Sequence, residues 1–307
     1  MFELTVDSDA RVHGTFELAP GMHAVVGASG AGKTSLFRLI AGLDRSPSLM
    51  ARWRGQSLST LPSHARSTAF VPQRPSLVPH RTIARQVKWV AVDQAGSWNE
   101  WIDILDLGRY WLRYPAELSG GEQQRAALLR ALAADREILL LDEALSQIDP
   151  SHRLSIYRQL KTRLEPRRLL MFSTHHWNEA ETFAEAMLFI DEGKISSSLN
   201  ILESTPSSSA MAAIMGYIGS IPTRHGFLLI HPRMISLDDA AQVKFAIPGN
   251  GRQQRISPIT SAYQFEPLSP AKGCLLWTGT PVPDRESFDR IFVSHPVFTD
   301  FQFGDSN

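Results

Sequence analysis

The chain has little cysteine, no net charge and no long apolar run. Cys274 is its only cysteine, so no disulfide can close within one chain and no zinc site can be built on several thiolates. That usage suits a reducing compartment. The 31 basic and 31 acidic side chains among 307 residues cancel. This removes the simplest electrostatic argument for a nucleic-acid partner, leaving room only for a local basic patch, and the reading is of a protein that binds no nucleic acid. No stretch approaches the roughly 18 apolar residues of a membrane span. The start, MFELTVDSDARV, carries neither a cationic nor an apolar segment of the signal-peptide kind. The expectation is a cytosolic protein that reaches a membrane only through a partner. With 43% hydrophobic residues, the chain can build one large or two ordinary cores.

The texture changes near residue 200. Before it, short apolar runs at 24–26, 69–71, 138–141, 169–172 and 187–190 alternate with helical periodicity, the rhythm of an α/β domain. Beyond the serine runs 196–198 and 207–209, a small apolar segment at 211–218 leads into β-like runs at 226–232, 242–248, 273–279 and 289–294, each bounded by turn residues. The pattern predicts a first domain over 1–200, a linker over 201–218 and a β-rich module over 219–307.

Three motifs carry chemistry. Gly27-Ala28-Ser29-Gly30-Ala31-Gly32-Lys33-Thr34 fits G-x-x-x-x-G-K-[ST] between a strand-like 22–26 and a helix-like 35–41. Its glycines let backbone N–H groups turn around phosphate oxygens, and the helix N-terminus adds its positive end. Lys33 supplies a point charge and Thr34 a hydroxyl for magnesium; Ser35 extends this nucleotide-binding set. The second motif is the aliphatic run 138–141 ending in Asp142-Glu143. Four consecutive aliphatics suit a strand buried on both faces of a parallel sheet, whose C-terminal end is where open α/β sheets bind ligands. Asp142 then suits magnesium and Glu143 the attacking water; taken alone, the pair equally suits a cap on the next helix. The third motif, Leu118-Ser119-Gly120-Gly121-Glu122-Gln123-Gln124-Arg125, precedes an amphipathic 126–134. It places Ser119, Gly120, Gly121 and Glu122 at a helix N-terminus with free N–H groups. One nucleotide has no use for two such anion sites from one subunit, whereas two subunits head to tail can lend the second site to each other.

Together and in this order the motifs resemble those of the ATP-binding cassette (ABC) ATPases, whose LSGGQ signature stands here as LSGGE. The resemblance covers residues 1 to about 200. It implies a P-loop NTPase α/β core with a mixed sheet, a helical signature subdomain over about 74–118 and, after it, a small β-rich domain. It also implies ATP and Mg2+, held by 27–35 with Thr34, Gln73 and Asp142 on the metal. Gln73, after Val71-Pro72, resembles the glutamine loop; Glu143 is the implied catalytic glutamate. His175, after Thr174, looks like the switch histidine that reaches the γ-phosphate, and Asp149 lies in the loop that crosses the dimer interface. Ala144, Gln147 and His176 depart from the family's usual proline, small residue and aspartate. Before Lys33 there is no Tyr or Trp to stack on adenine; Phe2, Phe16 and His13 stand there instead, so weak base discrimination is expected and no stacking residue is assigned.

Trp89, Trp98, Trp101 and Trp111 fall between Gln73 and Ser119. Trp98, Trp101, Ile102 and Leu105 keep the spacing of one helical face. They serve either to pack a small helical domain or to leave apolar surface for a permease. Residues 77–83, LVPHRTI, resemble the importer sequence L-F-P-H-x-T-V. The resemblance thus implies an importer ATPase at the cytoplasmic face of the inner membrane, peripheral, as a homodimer or ABC heterodimer. Its partners would be integral-membrane permease subunits and a periplasmic or surface substrate-binding protein. The compact N-terminus is similar to that of molybdate-importer ATPases, and 227–237 faintly resembles a strand-and-turn of oxyanion, iron and sugar importers. An oxyanion cargo is one reading of this. The β-rich module is equally open to regulation, an oligomer-fold role, dimer contacts or solubility. The alternative is an ABC-type ATPase with a regulatory role uncoupled from transport.

Overall fold

The computed structural model describes residues 1–6, 11–92, 98–163 and 165–198, and beyond them the strand residues 219–223, 226–230, 235–236, 245–257, 260–267, 275–279, 287–293 and 297–299. The chain divides into two units, Met1–Leu199 and Asn200–Asn307. The expected linker 201–218, residues 231–234 of the strand-and-turn segment, and Cys274 lie outside the described residues.

In chain order the first unit contains β1 (Phe2–Val6), β2 (Gly14–Leu18), β3 (Gly21–Val26), α1 (Lys33–Ala41), β4 (Met50–Trp53), β5 (Gln56–Ser57) and β6 (Thr68–Val71). It continues with α2 (Ile83–Val90), α3 (Glu100–Ile104), α4 (Gly120–Ala133), β7 (Ile138–Asp142), α5 (Pro150–Arg163), β8 (Leu169–Thr174), α6 (Trp177–Phe183), β9 (Ala186–Asp191) and β10 (Lys194–Ser198).

Among the described residues these strands form two sheets. The first is antiparallel, in the order β2-β1-β4-β5. Along β1 the apolar Phe2, Leu4 and Val6 are buried while Glu3 and Thr5 are not, the alternation of a strand with one face to the core. The second has the order β10-β9-β3-β8-β7-β6 and is parallel except for the β9/β10 pair. Its central β7 and β8 are buried at every position, as strands covered on both faces must be. The five apolar runs of the sequence all fall in this sheet, on β3, β6, β7, β8 and β9.

The register of the parallel sheet positions the site. Val26 of β3 pairs with Thr174, Asp142 with Ser173, and Val71 with Leu141. Four strands therefore end level, and whatever follows them meets along one edge. Helix α1 leaves that edge from Gly32 and stops at Gly42 (φ 74°). There the buried Arg66 guanidinium donates to the Leu39 and Ile40 carbonyls at 2.7 and 2.8 Å, satisfying acceptors the helix end leaves open. A cation at the far end of the helix dipole complements the phosphate-facing N-terminus.

Helix α3 is shorter than the tryptophan spacing predicts. Trp98 precedes it and Leu105 is its C-cap, and Asp106 takes a positive φ of 47°, which no helix can continue. Trp98 and Leu105 are still buried, and Trp98 packs on Trp111 with ring centroids 5.7 Å apart.

In the second unit, β11 (Gly219–Thr223), β12 (Gly226–Ile230), β13 (Ile235–Ser236), β14 (Phe245–Ser257), β15 (Thr260–Pro267), β16 (Leu275–Gly279), β17 (Ser287–Val293) and β18 (Val297–Thr299) form two antiparallel sheets. Their orders are β11-β12-β18 and β13-β17-β14-β15-β16. The four expected β-like runs overlap β12, β14, β16 and β17; β11, β13, β15 and β18 have no counterpart in the sequence reading.

Phe172, fully buried on β8, lies 4.9 Å from the Tyr157 ring of α5. Phe172→Ala should cost about 3–5 kcal/mol, read as a lower urea midpoint by tryptophan fluorescence. Every tryptophan but Trp277 lies in this unit, so the signal reports the affected core.

Candidate functional site

Residues 27–32 wrap the end of β3 and open α1. Gly27 is held where a Cβ would stand 2.3 Å from the Ile190 carbonyl oxygen, and Gly32 (φ 118°) where one would meet Val12 at 2.9 Å. Neither position admits another residue without moving backbone. The Lys33 ammonium, buried within the loop, donates to the Gly27 and Ala28 carbonyls at 2.8 and 3.0 Å and sits 3.5 Å from Glu143 Oε1. The loop thus carries a fixed cation beside the N-terminus of α1, an arrangement made for phosphate.

The end of β7 supplies two carboxylates in different settings. Asp142, 2% exposed, accepts from Thr34 Oγ1 at 2.7 Å and from Ser173 Oγ at 2.8 Å. Two hydroxyls therefore orient it, and one of them belongs to the phosphate loop. Glu143 follows with φ 44°, a left-handed conformation that costs a non-glycine residue roughly 1–3 kcal/mol. Its N–H is anchored on Ser173 Oγ at 2.8 Å, and this turn aims the side chain back over the sheet edge. There Glu143 Oε2 accepts from Gln73 Nε2 at 3.0 Å and lies 4.0 Å from His175 Nδ1. The loops after β3, β6, β7 and β8 thus converge on one carboxylate. Chemically it can accept a proton from a water placed among them, next to a bound terminal phosphate.

Ser119 caps α4. Its hydroxyl accepts from the Glu122 N–H at 3.4 Å while Glu122 Oε2 accepts from the Ser119 N–H at 2.7 Å, a reciprocal capping box. The Tyr110 hydroxyl, followed by the Ser119 groups, holds the Glu122 carboxyl below the usual glutamate range. Among the described residues no hydrogen bond or ion pair joins 119–122 to 27–35: one chain presents two separate phosphate-type sites. Asp149 takes the Ser151 hydroxyl at 2.5 Å and the Ser151 and His152 N–H groups. These hydrogen bonds, the hydroxyl first, hold its carboxyl below the usual range.

The structure therefore brings together Lys33, Thr34, Gln73, Asp142, Glu143 and His175, and sets Ser119, Gly120, Gly121 and Glu122 apart from them. Two contributors have no role in the sequence reading. Ser173 orients both carboxylate positions, but a serine within an apolar strand carries no spacing signal. Gln124, fully buried, donates to the Gln73 carbonyl (3.3 Å) and Ser146 Oγ (3.2 Å) and accepts from the Gln147 N–H (2.9 Å). It ties α4 to the loops of Gln73 and Asp149. The Gln147 side chain in turn lies against the capping glycines: a Cβ on Gly120 would displace its flexible Oε1 end, and a Cβ on Gly121 would stand 2.9 Å from the Gln147 carbonyl oxygen. On the base side, Phe2 and Phe16 are core residues packed on each other at 5.9 Å and cannot stack on a ligand. Arg11 and Val12 instead flank Gly32.

A profile of the ABC transporter family matches residues 14–146. The chain is 32% identical to a molybdenum import ATP-binding protein of Bradyrhizobium diazoefficiens over 229 residues, 69% of this chain and 25% of that protein. It is 30% identical to a sulfate/thiosulfate import ATP-binding protein of Mesorhizobium japonicum over 257 residues, 74% of each. It is 31% identical to an Fe(3+) ions import ATP-binding protein of Brucella melitensis over 240 residues, 71% of this chain and 67% of the relative. In fold it matches a dimeric bacterial ABC transporter cassette with a TM-score of 0.58 at 21% identity, over 65% of this chain and 98% of that one. A post-hydrolysis cassette bound to ADP and Pi matches with a TM-score of 0.56 at 21% identity, over the same shares. On its motifs, their geometry and these relatives, the chain belongs to the ABC transporter family as one of its ATPase cassettes.

Proposed function

We propose that the chain is the ATP-hydrolysing subunit of an importer, working as a dimer with ATP at the interface. The observation that carries this reading is the convergence of Lys33, Gln73 and His175 on Glu143, with a second anion site on the same chain that does not join it. Lys33, Gln73 and His175 of one subunit would hold the γ-phosphate that Ser119, Gly120, Gly121 and Glu122 of the other cover, with residues 27–35 around the phosphates and Asp149 at the contact between subunits. Glu143 takes the proton of the attacking water. Hydrolysis then removes the charge that both subunits share, and the closed dimer loses its reason to stay closed.

Thr34, Asp142 and the Gln73 side-chain oxygen form a hard oxygen donor set of the kind Mg2+ prefers. The 2.7 Å Thr34–Asp142 hydrogen bond places two of these donors together. Held by these residues, the ion would supply positive charge to offset that of the phosphates.

Residues 1–200 act in this proposal as the cassette, with 74–118 as the helical subdomain and 219–307 as a regulatory or oligomer-fold module. Trp89, Val92, Leu112 and Tyr114 are exposed, an apolar surface suited to a permease subunit. No helix among the described residues is long and apolar enough to cross a membrane, so a separate permease would provide the path. In this reading the chain sits at the cytoplasmic face of the inner membrane, with a substrate-binding protein on the far side. Relatives named for molybdenum and sulfate/thiosulfate support an oxyanion cargo such as molybdate.

Glu143→Gln should retain ATP binding and lower turnover by about 10²- to 10⁴-fold, with an ATP-dependent dimer on size exclusion; wild-type turnover in that variant would remove Glu143 from the mechanism. Affinity capture from detergent-solubilised membranes should recover a polytopic permease. Recovery of none would favour an ATPase uncoupled from transport.

A further inference from the structure

We propose that His176 is a positioning residue for His175, its ring stacked on the His175 imidazole so that His175 faces Glu143 and the γ-phosphate. The two rings lie 4.1 Å apart between centroids, tilted by 44°. His175 itself is half exposed, so its rotamer is fixed from outside. Glu143 Oε2 stands 4.0 Å from its Nδ1, and the tilted His176 ring packs against the imidazole.

The support beneath His176 is rigid. Its N–H donates to Thr174 Oγ1 at 3.0 Å, and that hydroxyl donates to Glu179 Oε2 at 2.7 Å. Glu179 Oε1 lies 2.6 Å from Arg153 Nε, in an ion pair that is at least nine-tenths buried on both sides. Tyr157, buried beside it, packs on Phe172 and Phe183. The backbone on both sides of His175 is thus tied to a buried ion pair, and the His176 ring extends that support to the one side chain of the loop that must reach substrate.

A histidine here differs chemically from the aspartate common in the resembling family. Burial, ahead of the opposing charge of Glu179, pushes the His176 pKa below the ordinary histidine value. His175 and Arg153 act in the same direction as burial, and Glu143 against it. The uncharged form of the ring is favoured accordingly. An aspartate at 176 would instead put a carboxylate beside His175 and favour its imidazolium form; an opposite charge at such range raises a pKa by about 1–3 units. The His176 ring orients His175 by contact rather than by charge.

The inference rests on the reading of His175 as a γ-phosphate contact, which His175→Ala tests separately. ATPase activity of the full chain is measured from pH 5 to 9, with melting temperatures, for His176→Ala, His176→Phe and His176→Asp. His176→Ala should lower kcat by about tenfold or more with KM for ATP within about twofold. His176→Phe, which keeps a flat ring, should recover most of that loss. His176→Asp should move the acid limb of kcat/KM to higher pH by about one unit. The proposal is overturned if His176→Ala keeps wild-type kcat, if His176→Phe is no better than His176→Ala, or if the His176→Asp profile superimposes on the wild type. A lower melting temperature with an unmoved pH profile marks a purely structural role and also overturns it. Wild-type turnover in His175→Ala defeats both readings, whereas loss of turnover there with wild-type His176 variants defeats only this one.

Discussion

Val26 pairs with Thr174, Asp142 with Ser173 and Val71 with Leu141, and this parallel register is the constraint on which the site depends. A strand of the sheet rises about 3.3 Å per residue. A slip of one residue in β7 would therefore carry Asp142 out of reach of Thr34 Oγ1 and Glu143 out of reach of Gln73. It would also exchange the two faces of a strand that is buried throughout. The aliphatic runs that hold the register are thereby part of the chemistry, although no side chain among them touches a ligand.

Strain and charge are concentrated where the strands end. Glu143 takes a positive φ, Lys33 is buried among carbonyls, and Asp142 is buried between two hydroxyls. Each feature is costly in isolation and sustained by the others. Ser173 serves twice, donating to Asp142 and accepting from the Glu143 N–H, so orientation of the two carboxylates is a single event. Gln124 does similar work at longer range. It holds the backbone on either side of the site to the helix that starts at Ser119, giving that helix a mechanical link to the loops of Gln73 and Asp149.

The parts of this arrangement that were legible in the sequence are those with a local signature. Glycines forced by close backbone approach, a strand with both faces buried and a helix N-terminus with a capping box each write a short pattern. The parallel core followed from its apolar runs. The antiparallel sheet of β1, β2, β4 and β5 did not, because its strands are only two to five residues long and their alternation is correspondingly brief. Helix α3 came out shorter than its tryptophan spacing, since it begins only after Trp98 and is already capped at Leu105, ahead of the turn at Asp106. Ser173, Gln124 and the Arg153–Glu179 pair act across distances of 22 to 51 residues or through burial, and no spacing in the chain announces such contacts.

The central claim is that the anion site at Ser119 completes the phosphate loop of another copy rather than its own. The chain allows a direct test, because Cys274 is its single cysteine and Ser29 and Ser119 are both exposed. In a Cys274→Ser background carrying Ser29→Cys and Ser119→Cys, a short bifunctional thiol cross-linker should join two chains when ATP is present and not in its absence. A cross-link confined to one chain, one formed equally without nucleotide, or none with ATP bound would contradict the account.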